Sequence, residues 1–190
     1  MNAPEPNPIN SFTHILNAID YCLEKHLIMP ALILIYSAID SASWFASEDD
    51  ARSVGERFQS WVDDWMLCRY PLPCTAQELY AARCGVLHAL SPSSDLSNKK
   101  GVRIIVYTWG KAQQQELSDA LKLLNRTGVV GVHINDIFHS FQNGFADFVE
   151  SLENDKAKKD LFNQRASKHF VDVDPSVVSQ FLDLSKRSTG

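Results

Sequence analysis

The 190-residue chain predicts a mainly α-helical fold: an N-terminal four-helix bundle over 11–92, preceded by a flexible tail at 1–10 and followed by an α+β extension over 93–190 that packs on the bundle and contains a short strand pair. Three observations lead to this expectation. Apolar residues recur at helical spacing through successive segments before residue 92. One of these segments is apolar almost all round, which suits a helix at the centre of a bundle. Beyond residue 100, the β-branched and aromatic run Val102 to Trp109 breaks the helical pattern.

The first helix is expected over 11–27, capped by Ser11, with Phe12, Ile15, Leu16, Ile19, Leu23 and Leu27 on one face. Pro30 fits the first turn of a second helix, roughly 29–46, whose only acid is Asp40. A third helix is expected over about 48–68, with Ser47 as its cap, Glu48, Asp49 and Asp50 at the positive end of its dipole, and a stripe of Val54, Phe58, Trp61, Val62 and Trp65. Tyr70-Pro71-Leu72-Pro73 ends it. Thr75-Ala76-Gln77-Glu78 is a capping-box pattern that opens a fourth helix running to about Leu90.

After a polar loop from Asp95 to Gly101, Val102 to Trp109 reads as a strand, and Gly128 to Ile134 is its nearest partner, giving a small hairpin-like sheet. A helix over about 111–125 lies between them, with Leu117, Leu121 and Leu124 on one side. A further helix over about 134–153 buries Ile137, Phe138, Phe141, Phe145, Phe148 and Val149. Lys156 to Lys168 is expected to form another helix, and Pro175 to Leu184 a short terminal one.

With 45% hydrophobic and 10% aromatic residues, the chain can bury a sizeable core as one domain. A net charge of −5 argues against broad attraction to nucleic acid but leaves room for a local basic cleft. Four cysteines with no C-x2-C pair read as free thiols of a reducing cytoplasm, so no metal and no cofactor is expected. Met1 to Asn10 lacks the pattern of a signal peptide, and the apolar run Leu27 to Ala38 is too short to cross a bilayer. A cytoplasmic protein with no membrane attachment is the expectation.

The fourth helix carries the most informative residues, Arg83 and His88 in Glu78-Leu79-Tyr80-Ala81-Ala82-Arg83-Cys84-Gly85-Val86-Leu87-His88. Arg83 follows Leu79 on the apolar stripe, so it needs a partner or a use. Histidine moves a proton near neutral pH. At about 100° per residue, His88 lies roughly 140° round the helix from Arg83, so a second helix or a second subunit is needed to close one cleft around both. Asp40 is expected to pair with Arg83 or to orient His88 across the bundle, and Asp40 and Tyr80 are taken as supporting residues.

The spacing Arg83-Cys84-Gly85-Val86-Leu87-His88, together with the apolar helix ending Leu34-Ile35-Tyr36-Ser37-Ala38-Ile39-Asp40, resembles the HEPN superfamily of small helical bundles over about residues 10–92. Where active members commonly carry a polar residue after the arginine, this chain has Cys84. The resemblance implies a homodimer that binds RNA, and in many members a metal-independent endoribonuclease with Arg and His of both copies at one site. It also implies a bacterial toxin or defence setting with a protein antitoxin or other partner. Other members keep the bundle without catalysis, as a dimerisation or protein-interaction module.

Chemically, RNA is cleaved when its 2′-OH attacks the adjacent phosphate. Histidine can move the proton, and arginine can stabilise charge on phosphate. Arg83 and His88 would take these roles.

Lys99, Lys100, Arg103 and Lys111 form a modest basic cluster after helix four, and the first three are taken as residues that could hold phosphates beside His88. His133, Asp136 and His139 offer metal-ligand chemistry, but the first and last are nearly two turns apart and read as the polar flank of a helix. Lys156, Lys158, Lys159, Arg165 and Lys168 alternate with acids as an exposed face. Trp44, Trp61, Trp65 and Trp109 could stack bases, although three of them lie on core stripes. No nucleotide-binding loop, G-x-S-x-G or H-E-x-x-H motif is present.

Overall fold

The computed structural model describes residues 8–48, 51–91, 101–166, 168 and 179. In chain order the elements are α1 (Pro8–Glu24), α2 (Ile28–Ala46), α3 (Val54–Trp61) continued by a π-helical segment (Val62–Leu67), α4 (Ala76–Ala89), β1 (Ile104–Thr108), α5 (Gln114–Leu123), β2 (Val129–His133), α6 (Ile134–Asn154) and α7 (Lys156–Ala166). The fold is mainly helical, with a two-stranded parallel sheet in its C-terminal half. Of the expected tail at 1–10, residues 8–10 already form the first turn of α1, and 1–7 lie outside the described residues. Most of the expected loop after Asp95 and of the terminal helix near Pro175 to Leu184 also lie outside them.

α2 is the central helix. It packs against α1, α3, α4, α6 and α7, and Ala31, Leu32, Ile35, Tyr36, Ala38, Ile39, Ala42 and Phe45 are buried. A helix apolar on every side is stable in water only when enclosed in this way. By length and composition α2 could cross a membrane; here half of it is buried within the fold.

α3 begins later than its acidic run suggests. Its cap is Ser53, not Ser47: the Glu56 N–H bonds Ser53 Oγ at 3.2 Å and the Ser53 N–H bonds Glu56 Oε2 at 2.8 Å. That reciprocal pair satisfies two of the donors a helix start leaves open. Ser47 instead closes α2, its N–H bonding Trp44 O. α4 begins at the capping box expected from sequence, with Thr75 and Glu78 bonding each other's N–H groups.

The strands are parallel, with Ile104 opposite Val129 and Thr108 opposite His133. The hairpin-like arrangement is therefore replaced by a strand–helix–strand unit. α5 carries the chain back along the sheet, and a helical crossover returns the next strand in the same direction. Gln114 on α5 pins β2: its Nε2 donates to Gly131 O at 2.5 Å, and its Oε1 accepts from the His133 N–H at 2.7 Å. The Tyr36 and Tyr107 hydroxyls share a 2.7 Å hydrogen bond that ties β1 to α2.

A single core runs through both halves of the chain, across the boundary expected near residue 92. Its spine is aromatic. Phe12 of α1 and Phe145 of α6 stack with centroids 4.2 Å apart, Phe45 of α2 meets Phe162 of α7 at 5.0 Å, and Trp61 meets Phe141 at 5.8 Å. The closest backbone approach lies where α6 crosses the π-helical segment: a Cβ on Gly144 would stand 2.5 Å from the Trp65 carbonyl oxygen.

Glu78 also carries the contact between α4 and the start of the sheet. It is 3% exposed and receives Arg103 Nε at 2.6 Å, Arg103 Nη2 at 3.0 Å and the Arg103 N–H at 3.2 Å. Burial alone would raise its pKa, but the bonds from Arg103 and from the Thr75 N–H outweigh it and hold the carboxyl below its ordinary value.

Two outcomes follow from these contacts. Gly144→Ala forces α6 away from the Trp65 carbonyl and lowers stability by about 1–3 kcal/mol, measured as a urea unfolding free energy. Because Glu78's folded pKa lies below its unfolded value of about 4.3, its contribution is complete above that value and is lost as pH falls through the folded pKa. Glu78→Gln therefore lowers stability near neutral pH and weakens the fall in stability at acid pH. Unfolding curves collected from neutral to acid pH on both proteins check this.

Candidate functional site

α2 and α4 meet where the only charged side chain of α2, Asp40, faces Arg83. Arg83 Nε donates to Asp40 Oδ2 at 2.6 Å, and Nη2 bonds the same oxygen. The two side chains are 14% and 19% exposed, which leaves an ion pair at the edge of the core rather than sealed within it. Asp40 Oδ1 is buried and has no partner among the described residues. Burial pushes the Asp40 carboxyl above its ordinary value, and Arg83, then Arg57, then His88 pull it back.

The third guanidinium nitrogen points the other way. Arg83 Nη1 lies 3.1 Å from His88 Nε2 and 3.9 Å from Cys84 Sγ. Guanidinium has donors only, so Nε2 must be the accepting nitrogen, with the ring proton on Nδ1. His88 is exposed, in the last turn of α4. The helix ends just beyond it: Leu90 adopts a left-handed conformation with φ 48°, and the Ser91 N–H bonds Gly85 O.

Thus the structure brings Arg83 and His88 together within one chain, without a second subunit. The arginine side chain is long enough to span the offset round the helix. Tyr80 lies one turn before Arg83, its ring 5.9 Å from the guanidinium carbon. Burial, and then the neighbouring Cys84 thiol, push the Tyr80 hydroxyl above its usual pKa. Gly55 of α3 makes room for that ring, since a Cβ there would stand 2.8 Å from Tyr80 Cε1.

The other candidates separate from this cluster. Arg103 is committed to Glu78 and to Pro73 O at the opposite end of α4, about 15 Å along the axis from His88 at 1.5 Å per residue. Lys99 and Lys100 lie outside the described residues. His133 is buried as the cap of α6: its Nδ1 accepts the Asn135 N–H and its Nε2 bonds Gly110 O. Asp136 and His139 are exposed, and no group of His, Cys, Asp and Glu suited to a metal ion exists among the described residues.

Arg57 was not singled out from sequence. It is half-buried on α3, one residue before the buried Phe58 on the stripe expected from sequence, and it attracts the Asp40 carboxylate. A charged residue beside an apolar stripe is the signal that would have found it.

Comparison with protein-family models, curated proteins and solved structures returns no match.

Asp40→Ala leaves the Arg83 guanidinium without its carboxylate. The expected loss is about 1–3 kcal/mol, less than for a fully buried pair because both side chains keep some solvent. Adding Arg83→Met should recover part of that loss in thermal or urea unfolding. Additive losses in the double variant would show that the pair is not coupled.

Proposed function

We propose that this chain is a HEPN-like RNA-binding protein that cleaves RNA without a metal, with Arg83 and His88 as catalytic residues and Asp40 and Tyr80 as their supports. The observation that carries the reading is the single guanidinium that is anchored on Asp40 through two nitrogens and presents its third to an exposed imidazole. A phosphate arriving at this point competes for Nη1. Once Nη1 turns to a phosphate oxygen, His88 Nε2 is released from its hydrogen bond and is free to take a proton.

In that reaction the 2′-OH loses its proton to His88 Nε2, the O2′–P bond forms and the P–O5′ bond breaks. The products are a 2′,3′-cyclic phosphate and a 5′-hydroxyl. The proton on the departing 5′-oxygen comes from His88 of a second copy in a homodimer, which enters the step as imidazolium and leaves it neutral, as the HEPN resemblance, with both copies at one site, implies. Asp40 holds Arg83 rigid so that its charge meets the phosphate as negative charge grows there.

The alternative is a non-catalytic bundle used for dimerisation or for binding a protein. It is favoured by the two Arg83 bonds spent on one Asp40 oxygen, which tie α2 to α4 whether or not any substrate is present.

Incubation with labelled single-stranded RNA, in the presence of a chelator, separates the two. The ribonuclease reading expects cyclic-phosphate ends, a loss of about a hundredfold or more in rate for His88→Ala, and a large loss for Arg83→Lys, which keeps the charge but not the fork. Wild-type protein that is dimeric and folded but leaves the RNA intact would point to the interaction module. Cleavage unchanged in His88→Ala would remove this site from the reaction.

A further inference from the structure

A cavity of about 430 Å³ opens between the C-terminal end of α2, α3 with its π-helical continuation, and the start of α7. It lies on the α3 side of Asp40, since Ser43, one turn further along α2, forms part of its wall. Four cations, Arg52, Arg57, Arg69 and Lys158, line it together with two acids, Glu48 and Asp64. Arg69 is held by Asp147 at 2.8 Å, and Lys158 lies 3.6 Å from Asp155, so those two charges are partly offset. Among the described residues neither Arg52 nor Arg57 forms an ion pair.

Two further atoms define what the cavity lacks. Arg57 Nε and Trp61 Nε1 are both buried, and neither has an acceptor among the described residues. Both are donors in residues that line the cavity. Trp61 is 2% exposed, so bulk water does not satisfy its N–H. Orphaned buried donors are costly, and these two lie just beneath the cavity surface, so an oxyanion satisfies them once the Arg57 and Trp61 side chains turn toward it. Trp65 completes the wall, with the Arg69 guanidinium 5.5 Å and the Lys158 ammonium 5.8 Å from its ring centroid. An aromatic wall beside four cations, in a cavity with room for more than one phosphate, favours a nucleic-acid strand over a lone phosphate.

We propose that this cavity binds a backbone phosphate of single-stranded RNA, next along the strand from the phosphate addressed by Arg83 and His88. The proposal rests on the RNA reading above and deepens it by adding Arg52, Arg57 and Trp61 as strand-binding residues. Arg57 joins the two places, since it lines the cavity and attracts Asp40.

The test uses the full chain and a short fluorescent 2′-O-methyl oligonucleotide, which binds but has no 2′-OH to react. Anisotropy titrations at several salt concentrations are run on wild type, Lys122→Gln, Arg52→Gln and Arg57→Gln. The expected result is that Arg52→Gln and Arg57→Gln each weaken binding about five- to tenfold and reduce the salt slope by about one, while Lys122→Gln, on exposed α5, binds as wild type. Arg52 is exposed, so Arg52→Gln keeps the test open even where Arg57→Gln impairs folding, which thermal unfolding would reveal.

Unchanged affinity and slope in a folded Arg52→Gln and Arg57→Gln would overturn the proposal, as would failure of the wild type to bind. Equally tight binding of inorganic phosphate or adenosine monophosphate would also overturn it, in favour of a small-molecule site. Failure of the two readings is distinguishable. Binding lost in the arginine variants by a protein that cleaves nothing keeps the cavity and rejects the ribonuclease. His88-dependent cleavage with unchanged binding in those variants does the reverse.

Discussion

An almost wholly apolar helix that carries one carboxylate imposes two demands at once. α2 must be enclosed, because its apolar surface has no face to spare for water, and the helices around it supply that enclosure. Enclosing it carries Asp40 toward the core, where a lone carboxylate would be expensive. The neighbour that packs there must therefore bring a cation, and α4 brings Arg83. The position of the candidate site follows from the constraint on the central helix, since the arginine is on α4 where Asp40 needs it.

The two carboxylates that face arginines show how much the details of pairing matter. Glu78 spreads its charge over both oxygens, with donors from Arg103 and from the Thr75 N–H, and ends below its ordinary pKa. Asp40 takes both Arg83 bonds on one oxygen, leaves the other without a partner among the described residues, and ends above it. One arginine is used for architecture. The other turns its remaining nitrogen, Nη1, to His88 Nε2 at the exposed end of α4.

Much of this was legible from residue patterns. The helical stripes of α1, α2 and α6, the Thr75–Glu78 box and the β-branched strand at 104–108 follow from local spacing and propensity, which the core leaves intact. What failed to show was set by longer-range competition. The cap of α3 is a local exception: Ser47 and Ser53 each stand three residues before an acid, and the reciprocal bonds of Ser53 with Glu56 decide between them. Two strands separated by a helix read as neighbours, but the direction of pairing depends on how α5 crosses the sheet. The π-helical segment leaves no composition signature, because its widened turn is met by Gly144 from a helix far away in sequence. The distance between Arg83 and His88 could not be read from helix angles, which place Cα atoms and say little about where a long side chain ends.

The Tyr36–Tyr107 hydrogen bond has a mechanical side. Tyr36 precedes Asp40 by four residues, so the two side chains share a face of α2, one turn apart. Through Tyr36, β1 is tethered one turn from the residue that orients Arg83. The strand–helix–strand unit is thus fastened to the helix that carries Asp40, and a strain on β1 arrives one turn from the carboxylate that anchors Arg83.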